Sequence, residues 1–403
     1  MSRTDPVSER QGSAWEVFRI FLVLGLTSFG GPVAHIGYFR DAFVAKHRWL
    51  SDRAYADIVA LCQFLPGPAS SQVGMAVGLQ RAGYAGMLAA WTAFTLPSAL
   101  LLVAFAYGAE ALGMSADAGW VQGLKAAAVA VVAHALLGMA RSLTPDRERA
   151  TIAVAGMILA LTVPGVAGQL TVIVLGAAAG LLWLRPGDSA LTEADGLPVS
   201  VSRRAALFCL ALFFLLLLLF PLLAGATGDG IVQTLDRFYR AGALVFGGGH
   251  VVLPLLQAEV VSTGWVEREA FLAGYGAAQA VPGPLFTFAA YLGTVQIQAP
   301  NGLFGAVVAL LAIFLPSALL VVAALPFWAR LRGAPKAQKA LLGINAAVVG
   351  LLAAALYDPV FTTGVISPTS MAITAAAFVA LAAWRAPAWT VVIAAGLLGF
   401  ALL

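Results

Sequence analysis

The chain has 403 residues, of which 61% are hydrophobic and only 10% charged, with a mean hydropathy of +0.91 and a formal net charge of +4. This balance excludes a soluble domain and a disordered chain, and identifies an all-α polytopic membrane protein. A β-barrel is excluded as well, because the apolar runs lack dyad alternation and are rich in Ala, Leu and Gly; the small basic excess falls in short loops, where it reports topology rather than a nucleic-acid partner.

Residues Met1 to Gly12 are polar and read as a cytoplasmic tail, not a signal peptide. An apolar stretch from Ala14 to Phe39 is broken at Gly30-Gly31-Pro32, and a net basic loop follows with Arg40, Lys46, Arg48 and Arg53 against Asp41 and Asp52. A second stretch, Tyr55 to Gln80, is broken at Pro66-Gly67-Pro68. Tyr84 to Tyr107 reads as a span kinked by Pro97, and the loop after it carries Glu110 and Asp117 but no base, which places it outside. Gly119 to Ala140 returns the chain to a basic loop with Arg141, Arg147 and Arg149. Ala150 to Leu184, interrupted by Pro164-Gly165, accommodates two short crossings.

The mixed-charge stretch Arg185 to Arg204 is the one linker, and it leads into an extra helix, Ala205 to Ala226, that has no counterpart upstream. One odd crossing brings the second half in from the opposite face. The expected organisation is therefore a first half at 1–185, a linker with one extra helix at 186–230, and an inverted second half at 231–403. The charges agree with inversion: the loop holding Glu259, Glu267, Arg268 and Glu269 is net acidic, and Arg330, Arg332, Lys336 and Lys339 fall on the expected inner side.

Three motifs repeat between the halves. Phe29-Gly30-Gly31-Pro32 answers Phe246-Gly247-Gly248-Gly249, Pro66-Gly67-Pro68 answers Pro282-Gly283-Pro284, and Leu96-Pro97-Ser98-Ala99-Leu100-Leu101 answers Leu315-Pro316-Ser317-Ala318-Leu319-Leu320. Partners stay 216 to 219 positions apart, as 66 pairs with 282 and 97 with 316. Spanning segments at the first two breaks would put the basic loop outside and its acidic counterpart inside. Re-entrant hairpins with tips at the breaks put both on the expected side, with arms of about 12 residues reaching roughly 18 Å. The reading is two inverted homologous halves with broken or re-entrant helices: four hairpins and nine spans, against a rival count of thirteen spans, with a cytoplasmic N-terminus and an external C-terminus.

Unpaired backbone cannot face lipid, so paired breaks at membrane depth line a polar cavity, as expected of a secondary transporter. In each hairpin the arm after the tip starts a helix whose free N–H groups and positive dipole end suit an oxyanion. The candidate binding residues are the tips Gly30, Gly31, Gly67, Gly247, Gly248 and Gly283 and the hydroxyls of Ser70, Ser71 and Thr287. They also include Gln63 and Gln279, three residues before each Pro-Gly-Pro, and the equivalent pair Lys125 and Asn345. Lys125 also fits a lysine reaching the outer interface, and Arg240 fits either an anion fork or an interfacial anchor. His35 and His250 follow glycine-rich tips and serve as anion or proton ligands or as hydrogen-bonded structural histidines. His134 reads as structural, Pro97 and Pro316 as kinks, and Asp57 and Glu110 as weak candidates for a coupling proton.

Enzyme chemistry finds no support: there is no nucleophile elbow, no zinc-protease helix, no phosphate loop and no cysteine or histidine set with metal spacing, so no cofactor or metal is expected. Cys62 and Cys209 read as small buried hydrophobes.

The motif order resembles the two-domain, long-chain members of the chromate ion transporter family, on Phe29-Gly30-Gly31-Pro32 with Trp49 and Pro66-Gly67-Pro68, then Phe246-Gly247-Gly248-Gly249 with Trp265, Gln279 and Pro282-Gly283-Pro284. The resemblance covers nearly the whole chain. It implies a multi-pass protein of the bacterial inner membrane that exports chromate and confers chromate resistance, with sulfate as competitor; the residues alone reach a small-oxyanion transporter, and a sulfate carrier is the alternative. A homodimer stays open. Two departures, Gly249 for Pro32 and Phe286-Thr287 for Ser70-Ser71, weaken a symmetric site.

Overall fold

A computed structural model describes residues 12–29, 31–111, 118–163, 165–185, 201–246, 249–331 and 333–403. Among them the regular structure is helical throughout. The first half runs α1 (Ala14–Thr27), α2 (Gly31–Arg40) continued by a π-helical turn Asp41–Lys46, α3 (Asp52–Phe64), α4 (Ala69–Ala111), α5 (Gly119–Leu143), α6 (Arg147–Thr162) and α7 (Val166–Trp183). Helix α4 is two helices, since Ala82 and Gly83 leave helical dihedrals. The unmatched α8 (Arg203–Thr227) follows.

The second half repeats the series. It comprises α9 (Gly230–Ala243), α10 (Val252–Leu256) with a π-helical turn Gln257–Val261, α11 (Arg268–Ala280), α12 (Phe288–Val295) and α13 (Gly302–Ala324), then the short α14 (Trp328–Leu331), α15 (Pro335–Ala355), the single turn α16 (Thr362–Gly364), α17 (Pro368–Ala382) and α18 (Ala388–Leu402). Polar side chains start many of these helices where the sequence leaves apolar runs: Ser13, Ser51, Asp146, Ser202 and Asp229 each accept a backbone N–H of the first turn. Six of the described helices are long and apolar enough to cross a membrane.

The broken segments fold back on themselves. In a continuous helix, positions 21 and 39 would stand about 27 Å apart at 1.5 Å per residue. Instead the Phe21 ring lies 5.5 Å from Phe39 and 5.0 Å from Phe43. The bases of both first-half hairpins meet at one face: Gly12 N–H donates to Arg81 O at 3.0 Å, and the Arg81 guanidinium stands 4.9 Å over the Trp49 ring. In the second half, Ile297 N–H donates to Trp265 O at 2.9 Å, and Arg237 stands 4.5 Å over the Trp265 ring. That base lies at the opposite face, because Tyr107 and Trp120, at the far ends of α4 and α5, share a cavity wall with Glu267, Gln296 and Asn301. Inversion follows from these contacts.

The halves interlock rather than sit side by side. Helix α5 crosses α18 of the other half so closely that a Cβ on Gly123 would stand 2.1 Å from Ala395 O. Its equivalent Gly343 on α15 meets Gly176 O of α7 at the same 2.1 Å. Small residues permit such backbone approach in lipid, where packing rather than hydrophobicity joins helices. Helix α8 lies outside this core, with Leu207, Phe208, Leu218 and Leu222 exposed.

Candidate oxyanion site at the crossed tips

Each Pro-Gly-Pro tip is held by the other half. Gly67 N–H donates to Val245 O at 2.7 Å, and Gly283 N–H donates to Ser28 O at 2.9 Å, an arrangement that repeats about the axis relating the halves. Both glycines have positive φ, 124° and 96°, in which a side chain is strained. Space forbids one too: a Cβ on Gly67 would stand 2.3 Å from Ser317 Oγ, and one on Gly283 2.9 Å from Ser98 Oγ. The three repeated motifs therefore converge, with the serine after each helix proline seated under the opposite tip. Pro97 and Pro316 do lie within helices. The sequence reading that stopped at kinks missed the serines beside them, although the repeated Leu-Pro-Ser-Ala carried the signal.

Side chains lock the first tip. Gln72 Nε2 donates to Pro66 O at 2.7 Å. Buried His35 donates from Nε2 to Ser28 O at 3.1 Å, which leaves Nδ1 to accept from Ser70 Oγ at 3.3 Å. Ser28 O thus receives both His35 and the second-half tip. Thr287 Oγ1 donates to Pro284 O at 2.8 Å, so the proposed hydroxyl donors Ser70 and Thr287 are committed within the protein. Ser71 Oγ is buried with no hydrogen-bond partner.

Beside the second tip lies a cavity of about 210 Å³, more than ten times the ~10–15 Å³ one water requires. Gly31 of the first tip, His134, His250, Gln279 and Gly283 line it, along with the turn between α17 and α18 at Ala386, Pro387 and Ala388. That turn packs on the first tip through Trp389, 5.4 Å from Phe29. Helix α18 begins at the wall at Ala388, and so does the 3-10 turn Leu285–Thr287 that runs into α12, so the N-terminal dipole ends of both segments lie there. Gln279 Nε2 is buried with no hydrogen-bond partner, and His250 is bonded through Nδ1 to Tyr275 Oη at 3.0 Å. Among the described residues that line the cavity, none is lysine or arginine. Its chemistry is that of neutral donors and dipoles, the means by which proteins hold compact oxyanions.

The other candidates lie elsewhere. Gln63 is exposed on α3 and does not share the setting of Gln279. Arg240 is taken up by ion pairs with Glu259 at 2.6 Å and Asp236 at 2.8 Å. Lys125 is 2% exposed inside the bundle, so it does not reach for the interface, but it lies outside the cavity wall. Asn345, its equivalent, is part-buried on α15 with Oδ1 unpartnered. Gly30, Gly247 and Gly248 lie outside the described residues. Conversely His134, taken from sequence as structural, stands in the cavity wall. A lone histidine in an apolar helix was the available signal.

Comparison with known proteins agrees with this architecture. The family model for chromate transporters matches twice, over residues 15–181 and 232–400. The chain is 29% identical to a chromate transport protein of Pseudomonas aeruginosa over 96% of this chain and 91% of that one. It is 27% identical to a probable chromate transport protein of Synechococcus elongatus over 87% and 88%, and 28% identical to a chromate transport protein of Cupriavidus metallidurans over 83% and 80%. No solved structure shows a significant match.

Proposed function

The chain belongs to the chromate transporter family, and from that premise we propose that it is a secondary transporter exporting chromate from the cytoplasm by alternating access, thereby conferring chromate resistance. The observation that carries this reading is the crossing of the two Pro-Gly-Pro tips beside the cavity of His134, His250 and Gln279. Chromate is a tetrahedral dianion, and the Gln279 amide, the imidazoles and two helix N-termini supply converging donors without a fixed cation that would hold it too tightly for release. Rocking of one half against the other exchanges the bonds from Gly67 to Val245 and from Gly283 to Ser28, and so transfers access between faces.

The face with Arg48, Arg53 and Arg81 is the cytoplasmic one in this account, in a bacterial inner membrane, with Glu267 and Glu269 outside. A basic inner mouth gathers anions and an acidic outer vestibule discourages their return. A dianion leaving a cytoplasm at −100 mV gains about 2.3 kcal/mol for each charge, so export runs with the field. Sulfate has the same shape and charge and competes for the site.

The test is flux into oriented proteoliposomes. Saturable chromate movement, inhibited by sulfate and entering everted vesicles in preference to right-side-out ones, is expected. Sulfate flux without chromate flux, or no flux of either, overturns the proposal.

A further inference from the structure

The hairpin of α17 and α18 is anchored at the outer face. Its second arm ends against the outer start of α5, where a Cβ on Gly119 would stand 2.5 Å from Gly399 O and one on Gly123 2.1 Å from Ala395 O. The turn between the arms therefore points inward. Each arm has 15 residues, about 22 Å at 1.5 Å per residue, which is short of a hydrocarbon core of about 30 Å. The turn thus stops before the inner boundary, and it gives the cavity wall three consecutive residues, Ala386, Pro387 and Ala388.

One charge sits on this turn. Arg385 is the only charged side chain after Asp358, and it directly precedes the three wall residues. It is exposed and makes no ion pair or hydrogen bond among the described residues. Its backbone is unusual as well. Ala386 N–H donates to Ala380 O at 2.9 Å and closes the end of α17 with Arg385 in the left-handed region, at φ 55°. Glycine is the usual residue at such a helix end, because side chains are strained there. The hairpin of α6 and α7, packed on α15 as α17 and α18 are on α5, does use glycine: Gly165, two residues past the C-cap Val163, has φ 84°, and Arg385 stands two residues past the C-cap Ala383. A charge that served only as a topology signal could stand at a neighbouring position without this strain. At membrane depth an exposed, unpaired arginine faces water, so the turn borders an aqueous vestibule on the inner side of the cavity.

We propose that Arg385 captures the oxyanion at the inner entrance and passes it to Gln279 and the histidines of the cavity. The described wall residues include no lysine or arginine, so the charge at its edge supplies the long-range attraction that neutral donors lack. An exposed guanidinium holds its partner weakly in water, which concentrates the anion at the entrance without retaining it. Capture sets the KM for cytoplasmic substrate and leaves the rate of crossing to the tips.

This role rests on the transport reading above, so the test has one arm that needs no chromate. With Cys62 and Cys209 replaced by serine, a membrane-impermeant maleimide is expected to label Arg385→Cys from the inner face alone. Labelling from the outer face, or from neither, overturns the vestibule and the capture role whatever the protein carries. The second arm is initial chromate flux into everted vesicles at low and high salt. Arg385→Gly is expected to raise KM about tenfold at low salt and to change kcat by less than about twofold. Salt should raise the wild-type KM toward that of the variant and alter the variant little. Arg385→Lys should restore most of the lost affinity, since the attraction comes from the charge. Arg385→Gly should also melt no earlier than the wild type, because glycine relaxes the left-handed turn. A wild-type KM in Arg385→Gly, or a lowered kcat with an earlier melt, makes the residue structural and overturns the capture role alone. Labelling as expected in a wild-type background that moves no chromate overturns the transport reading and the capture role with it.

Discussion

Gly67→Ala is the sharpest perturbation of the crossed tips. At φ 124° an alanine sits in backbone space almost reserved for glycine, at a cost of about 1–3 kcal/mol. Its Cβ would also stand 2.3 Å from Ser317 Oγ and 2.7 Å from Gln72 Nε2, an overpacking cost of about 1–3 kcal/mol. The sum is on the order of 4 kcal/mol, roughly a thousandfold in the population of the native tip. Ser317 Oγ makes no hydrogen bond, so Ser317→Ala removes the clashing atom at little cost of its own. The double variant should recover about tenfold of the loss, the part of the steric share due to Ser317 Oγ, while the Gln72 contact and the backbone share persist. The assay is initial chromate flux in proteoliposomes at matched protein density, with thermal unfolding as a check on folding. Wild-type flux from Gly67→Ala, or no rescue by Ser317→Ala, would refute the crossing of this tip against the opposite half.

Topology is tested by Arg48→Cys and Glu267→Cys, both exposed at opposite hairpin bases: membrane-impermeant maleimide should reach the first only from the cytoplasm and the second only from outside. Labelling of Arg48→Cys from outside would favour thirteen crossings. His35→Ala removes two hydrogen bonds, at 3.1 and 3.3 Å, and leaves Ser28 O with Gly283 alone. A loss of about 1–3 kcal/mol in stability is expected, read as an earlier thermal midpoint. Gly123→Val forces α5 off α18 and should abolish folded protein in the membrane, whereas Gly31→Ala, with nothing within 4 Å of its Cβ, should cost only the strain of φ 78°, about 1–3 kcal/mol. Size-exclusion recovery distinguishes the two.

Much of the fold was legible because its signals are local. Helix breaks at Gly30 and Pro66 and caps state where the chain turns, the opposite charge of the loops around Arg48 and Glu267 agrees with their lying at opposite faces, and near-constant spacing states that the pattern occurs twice. The partners of each break were not legible, since periodicity reports which face is buried and not what covers it. Nothing near Gly67 says that its N–H meets Val245, or that Ser98 and Ser317 exchange places beneath the tips. The same limit explains the paired glutamines. Gln63 and Gln279 are equivalent in sequence, yet one is exposed on α3 and the other opens onto a cavity, because the surroundings of the two tips have diverged. Arg240 was readable as an anion fork or an interfacial anchor but not as a charge already paired with carboxylates on α9 and the π turn.

That divergence supplies the most direct test of the account, which holds that one oxyanion binds beside the second tip. The measurement is chromate affinity of purified protein, comparing Gln279→Leu with Gln63→Leu. Gln279 offers a buried, unpartnered donor, and a hydrogen bond to a charged group contributes about 1.5–3 kcal/mol, so Gln279→Leu should weaken binding about tenfold to a hundredfold. Gln63→Leu should leave it unchanged. Equal losses at the two glutamines, or an undiminished affinity in Gln279→Leu, would contradict it.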